Sequence, residues 1–161
     1  MANLEQETGK LLRRKGLTLG VVESATGGLL SHLITNVAGS SYYYKGSIIA
    51  YSNEAKIEIV GVKAETIDKF GAVSPQVAEE MAKRGRIVLA TDICLADTGI
   101  AGPAGAIQGK PPGLFYIGLS HKGGTHTREH NFQGDREQNK YLAAKAALSW
   151  LKEYLDSIET N

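Results

Sequence analysis

The segment Val21-Val-Glu-Ser-Ala-Thr-Gly-Gly28 reads as a strand that turns sharply into a helix. Such a corner carries its turn residue to the carboxyl edge of a sheet and points the first N–H groups of the new helix outward. Ser24 is placed there as a candidate nucleophile. The N–H groups of Ala25, Thr26, Gly27 and Gly28 are candidates to hold an oxyanion or a phosphate. The competing role is structural: Ser24 or Thr26 caps the helix, and the glycines permit close packing. No Gly-Lys-Ser/Thr follows, so the segment is not a Walker loop.

A serine hydroxyl needs a base to become a nucleophile. The histidines are His32, His121, His126 and His130. His126 and His130, four apart in an extended segment, would stand about 13 Å from one another, too far to chelate one ion. His32 lies on the helix after Ser24, but no carboxylate is evidently placed to orient it. Lys56 is the other base. Tyr51-Ser-Asn-Glu-Ala-Lys56 ends a strand and opens a short helix, a corner of the same kind as that at Ser24. Strands adjacent in one sheet would bring the two corners together. A lysine acts as a base only when uncharged, and lowering its pKa from about 10.4 by two to three units takes roughly 3–4 kcal/mol of burial or positive neighbours. Tyr51 could share the proton or hold the amine in line with Ser24. The alternative is a solvated Lys56 and a core Tyr51.

Two further clusters are binding candidates. Thr98-Gly-Ile-Ala-Gly-Pro103 offers the closely spaced N–H groups of Gly99, Ala101 and Gly102 and the Thr98 hydroxyl, suited to a carbonyl or phosphate, or else forms only a tight turn. Gly134-Asp-Arg136 opens the last helix, where Arg136 either grips an anion or is solvated. Cys94, between Ile93 and Leu95, reads as a small buried hydrophobe. Lys110 is at most a minor contact.

The elements that must position these residues follow from periodicity. Leu4, Leu11 and Leu12 give a helix over 4–15 that Gly16 stops. Residues 17–22 form a buried strand and 28–35 a helix. The β-branched and aromatic run 42–51 predicts a strand, with Asn53 capping the short helix that carries Lys56. Ser74-Pro75 opens a helix to about residue 89, with Val77, Met81 and Val88 on its buried face. A strand over 92–97 enters the 98–103 turn and a glycine-rich loop. Strands over 114–120 and 125–132, joined at Lys122-Gly-Gly, make a C-terminal hairpin. The last helix starts after Gly134 with a stripe of Tyr141, Ala144, Leu148, Leu151 and Leu155. This order predicts an α/β fold, helices layered on a mixed sheet, in one domain over 1–161.

Composition excludes several classes. Eighteen basic against 17 acidic side chains leave a net charge of +1, which argues against a sequence-independent grip on nucleic acid. No run approaches the roughly 18–20 apolar residues of a membrane span, and no export signal is visible at the start. One cysteine excludes an internal disulfide and cysteine-based zinc clusters. The chain reads as cytoplasmic. Nine of the 19 glycines fall between Gly99 and Gly134, so the backbone is shaped there.

Taken in order, Glu23-Ser-Ala-Thr-Gly-Gly, Tyr51-Ser-Asn-Glu-Ala-Lys, Gly71-Ala-Val-Ser, Thr98-Gly-Ile-Ala-Gly-Pro, Lys110-Pro and Gly134-Asp-Arg resemble the C-terminal domain family of the competence/damage-inducible protein CinA. The resemblance runs from about Leu11 to Leu151. Active members of that family are nicotinamide-nucleotide amidases. It implies Ser24 as nucleophile, Lys56 as base and Tyr51 between them, acting on nicotinamide mononucleotide without metal or organic cofactor. It implies a three-layer α/β/α fold with a mixed, mostly parallel sheet, and a homodimer or higher homo-oligomer. Larger members carry an additional N-terminal domain, so the expectation here is a stand-alone amidase domain. Ala104 and Ala106 replace common glycines. Lys140 stands where arginine is frequent and cannot supply a bidentate fork to a phosphate. The rival readings are a non-catalytic pyridine-nucleotide-binding module and, from the family's name alone, a DNA-uptake or repair accessory.

Overall fold

A computed structural model describes residues 1–107 and 109–159; the expected single-domain span over 1–161 also takes in residues 108, 160 and 161, which lie outside the described set. The first helix, α1 (Leu4–Lys15), is fixed by a capping box in which Asn3 and Gln6 bond each other's backbone N–H, and it ends at a left-handed Gly16. After it come β1 (Leu19–Glu23), α2 (Leu29–Thr35), β2 (Tyr44–Ile49) and a short helix α3 (Asn53–Ala55) that widens into a π-helical turn, Lys56–Val60. Next are α4 (Ala64–Phe70), α5 (Pro75–Val88), β3 (Ile93–Gly99), β4 (Leu114–His121), β5 (Gly124–Asn131) and α6 (Arg136–Ser157).

The five strands form one mixed sheet in the order β2-β1-β3-β4-β5. β1 runs parallel to β2 and β3, β4 is antiparallel to β3, and β5 returns antiparallel to β4. Four strands therefore point one way, and only β4 opposes them. Period-2 alternation divides the core. Leu19 and Val21 of β1 and Ile93 and Leu95 of β3 face α1, α2 and α6, where Leu12, Leu30, Leu148 and Leu151 cover them. Val22, Cys94 and Ala96 face the opposite layer with Val77, Met81 and Ala82 of α5 and Ile67 of α4. This is the expected three-layer α/β/α arrangement. Among the described residues no helix is long and apolar enough to cross a membrane.

Several expectations change in detail. The strand predicted over 42–51 contracts to β2, because Ser40–Tyr42 closes a 3₁₀ turn after a left-handed Gly39. Ser52, not Asn53, caps α3, its hydroxyl accepting from the Ala55 N–H at 3.1 Å. Val88 and Tyr141, placed on buried faces by periodicity, are about half exposed. Val88 is the last residue of α5, and Tyr141 lies in the second turn of α6. The helix α4 lacked a sequence signal, since no side chain caps it.

The α5 layer lies directly on β4. A Cβ added at Gly118 would meet the Ala78 carbonyl oxygen at 2.5 Å and Ala82 Cβ at 2.9 Å. Backbone cannot yield cheaply at such a contact. Gly118→Ala should therefore lose about 1–3 kcal/mol of unfolding free energy, read from the shift in urea midpoint at unchanged slope.

Candidate active site

At the end of β1, Glu23 is wholly buried and does the work expected of a cap. Its carboxylate accepts from Thr26 Oγ1 (2.7 Å), from the N–H groups of Gly28 (3.2 Å), Leu30 (2.8 Å) and Ser31 (3.2 Å), and from Ser31 Oγ (2.5 Å). Neither Ser24 nor Thr26 caps α2, so the Ser24 hydroxyl is left for other use. Asp97, on the neighbouring strand β3 and equally buried, fixes the corner from below. It accepts from the Thr26 N–H at 3.0 Å, from the Ser24 N–H, and contacts Thr26 Oγ1. Burial pushes its carboxyl up to about 6, with the Glu23 charge acting in the same direction.

The second corner follows β2. The Ser52 cap turns the chain inward, and Lys56, the first residue of the π-turn, is only 2% exposed. Its Nζ lies 2.9 Å from Ser24 Oγ, 3.0 Å from the Ala50 carbonyl and 3.1 Å from the Tyr51 carbonyl. Burial lowers the Lys56 pKa, a shift that Asp97 opposes when ionised. In the uncharged amine two hydrogens match the two carbonyls, and the remaining lone pair faces the Ser24 hydroxyl. An amine so placed, once uncharged, could accept the serine proton.

Tyr51 is placed differently from expectation. Its phenol is 62% exposed, and its Oη accepts from Arg136 Nη2 at 3.2 Å, while it is the Tyr51 backbone carbonyl that meets Lys56. The corner buries Lys56 beneath the chain and turns the Tyr51 side chain outward. The oxyanion candidates are also thinned. The Thr26 N–H goes to Asp97, the Gly27 N–H to the Ser24 carbonyl and the Gly28 N–H to Glu23. The Ala25 N–H has no protein acceptor among the described residues.

Ser24, Ala25, Tyr51 and Lys56 line a cavity of about 250 Å³ together with Thr98, Gly99, Ala101 and Arg136. The Thr98 hydroxyl donates to the Ala72 carbonyl at 2.8 Å and so ties the 71–74 segment to β3. Arg136 donates through Nη1 to the Gly102 carbonyl at 2.8 Å; Gly102 itself faces a neighbouring cleft. Lys140, one turn on from Arg136, holds its Nζ over Gly27. Lys110 donates to the Phe70 carbonyl at 2.6 Å. The four histidines lie away from this cavity: His32 meets Asn36, His121 stacks on Tyr154, His126 adjoins His121, and His130 stacks on Phe132. Burial raises the Cys94 thiol to about 12, as suits a core residue.

Sequence reasoning missed two residues that shape the site. Asp97 left a signal, an acid closing an otherwise apolar strand. Asn139 left none: it is buried in α6, donates to the Ala101 carbonyl at 3.0 Å and accepts from the Gly134 N–H at 2.9 Å. It thereby joins two binding candidates that lie far apart in sequence.

The folded state resists charging Lys56, so the unfolded chain binds more protons between the lowered native pKa and about 10.4, and this group's contribution to stability rises with pH across that window. The stability of the wild type relative to Lys56→Met should therefore increase as pH is raised toward the ordinary lysine range, measured by urea unfolding of both proteins at a series of pH values. A difference independent of pH would show that Lys56 is not desolvated.

A family profile described as "CinA C-terminal domain" matches residues 1–155. A "Putative competence-damage inducible protein" of Halothermothrix orenii is 49% identical over 154 residues, covering 95% of this chain and 37% of that protein. A "CinA-like protein" of Syntrophomonas wolfei is 48% identical over 144 residues, 89% of this chain and 35% of that protein. The chain thus spans little more than a third of the length of these curated relatives. Among solved structures, the competence damage-inducible protein A of Klebsiella pneumoniae superposes with a TM-score of 0.94 at 32% identity, covering 97% of each chain. The competence/damage inducible protein of Agrobacterium tumefaciens gives 0.88 at 31% identity, covering 98% of each. Profile, relatives and folds agree, and the chain belongs to the CinA C-terminal domain family.

Proposed function

We propose that the protein is a serine–lysine amidohydrolase that converts nicotinamide mononucleotide to nicotinate mononucleotide and ammonia. The observation that carries this reading is the 2.9 Å contact of a buried Lys56 amine with Ser24 Oγ, its other two partners being backbone carbonyls. Ser24 Oγ attacks the carboxamide carbon as its proton passes to Lys56 Nζ. The oxyanion that develops faces the Ala25 N–H, the open donor of the turn; a single donor of this kind is worth about 2.7–4 kcal/mol. The tetrahedral adduct collapses, the C–N bond breaks, and Lys56 returns the proton to the departing ammonia. Water then attacks the nicotinoyl–serine ester, losing a proton to Lys56, which passes it to Ser24 as the acid leaves.

The choice of substrate rests on the family resemblance. It is supported by cations at the cavity: Arg136 in its wall and Lys140 above Gly27 are suited to the substrate's phosphate. Tyr51, turned outward beside Arg136, belongs to the substrate side of the site rather than to the proton path. The homo-oligomeric reading stands on the same resemblance.

Purified protein with nicotinamide mononucleotide should release ammonia, and EDTA should not change the rate. Ser24→Ala should lower kcat by about 10³-fold or more. Near-wild-type turnover by that variant would overturn the nucleophile. Calorimetric binding of the nucleotide with no ammonia released would favour the non-catalytic module instead.

A further inference from the structure

The two carboxyl groups beneath the nucleophile corner take no part in the steps above. Glu23 and Asp97 are both 0% exposed, and a single hydroxyl oxygen, Thr26 Oγ1, lies within hydrogen-bond reach of both. A hydroxyl has one proton. If it donates to one carboxylate it turns a lone pair toward the other, and two facing lone pairs in a dry interior repel. The arrangement is satisfied only when one of the carboxyls brings a proton of its own.

Glu23 is the better place for the charge. It collects three backbone N–H groups and the Ser31 hydroxyl, and Tyr44 Oη donates to Ser31 Oγ at 2.7 Å, which directs the Ser31 proton toward Glu23. Among the described residues Asp97 receives, apart from the shared Thr26 hydroxyl, the N–H groups of Ser24 and Thr26. Donors to the ionised form stabilise it, so the imbalance leaves the proton on Asp97.

We propose that Asp97 is an uncharged carboxylic acid at neutral pH, donating through Oδ2–H to Thr26 Oγ1, which donates in turn to Glu23 Oε1, and that this held proton keeps negative charge away from Lys56. The effect on Lys56 matters for catalysis only under the serine–lysine reading; the location of the proton does not depend on it. Asp97 is thus a positioning residue: it holds the Ser24 turn through two N–H groups and leaves the amine free to lose its charge. The charged groups that act on it are Glu23 from β1 and Lys56 from the π-turn, while β4 sets Ile117 opposite it. Burial and the Glu23 charge bring Asp97 to about 6. The Thr26 hydroxyl opposes that rise only if its proton points at Asp97. With that proton on Glu23 the opposition is gone, and Asp97 is carried higher.

The test uses the full chain labelled with 13C at the aspartate carboxyl carbon and titrated from pH 4 to 8 by NMR. One aspartate resonance should keep its acid-form shift through pH 7, and Asp97→Asn should remove that resonance. Five aspartates all ionised by pH 7 would overturn the proposal, and this reading needs neither turnover nor a variant that folds. The second measurement is the pH profile of kcat/KM for ammonia release. Asparagine offers the acceptor and the donor of the neutral acid, so the acid limb of Asp97→Asn should coincide with that of wild type. An acid limb moved to lower pH would mean that an ionised Asp97 had been raising Lys56, and would overturn the effect on the amine. Absence of ammonia from the wild type would sink the hydrolase reading, while the aspartate resonance would still decide the proton.

Discussion

An amine taken out of water must either surrender its charge or be paired with an anion, and among the described residues no anion is in contact with Lys56. Its three partners are two carbonyl oxygens and a serine hydroxyl, all neutral. Two carbonyls absorb two N–H bonds, and the third direction is the one that matters chemically. The two strand-end corners bring that amine to the serine. The cost of burying an ammonium without a counter-ion, several kcal/mol even after relaxation, is what makes an uncharged lysine the economical state here.

The sheet supplies the placement. β1 pairs in parallel with β2 and β3, so the ends of three strands meet at one edge of the sheet: Ser24 follows the first, the Lys56 corner the second, and Thr98 closes the third. A parallel arrangement aligns strand ends in this way without any long loop having to reach across. The antiparallel β4 and β5 contribute by packing, through Gly118 against α5 and Phe115 under the loop that follows β3. On the far side α6 delivers Arg136, Lys140 and Asn139 from successive turns of one helix. The wall formed by the 98–102 segment is therefore held by side chains distant in sequence.

The sheet and both corners were legible in the sequence because they obey local rules. Apolar alternation separates the strands, a left-handed glycine ends α1, and Ser74-Pro75 opens α5. The nucleophile and base could be named as candidates for the same reason, since each follows a strand. What the sequence could not show was direction. Tyr51 is five residues from Lys56 along the chain, yet its phenol faces Arg136 and its carbonyl faces the amine, which follows from the tightness of the turn at Ser52 and not from residue type. The helix cap was misassigned for a related reason. A carboxylate at the end of a buried strand outcompetes the nearer hydroxyls because it can accept from several N–H groups at once, as Glu23 does. Asn139 was invisible because an asparagine in the polar first turns of a long helix carries no signal that its amide is buried.

The claim on which the account rests is that the Lys56 amine sheds its proton far more easily than an ordinary lysine. Its direct measurement is a pH titration of the protein labelled with 13C at lysine Cε, with Lys56→Met used to assign the resonance. The account predicts one lysine that titrates well below the others and moves when Ser24 is replaced by alanine. A Lys56 resonance that titrates near the reference lysine value of about 10.4, unmoved by the loss of Ser24, would contradict it.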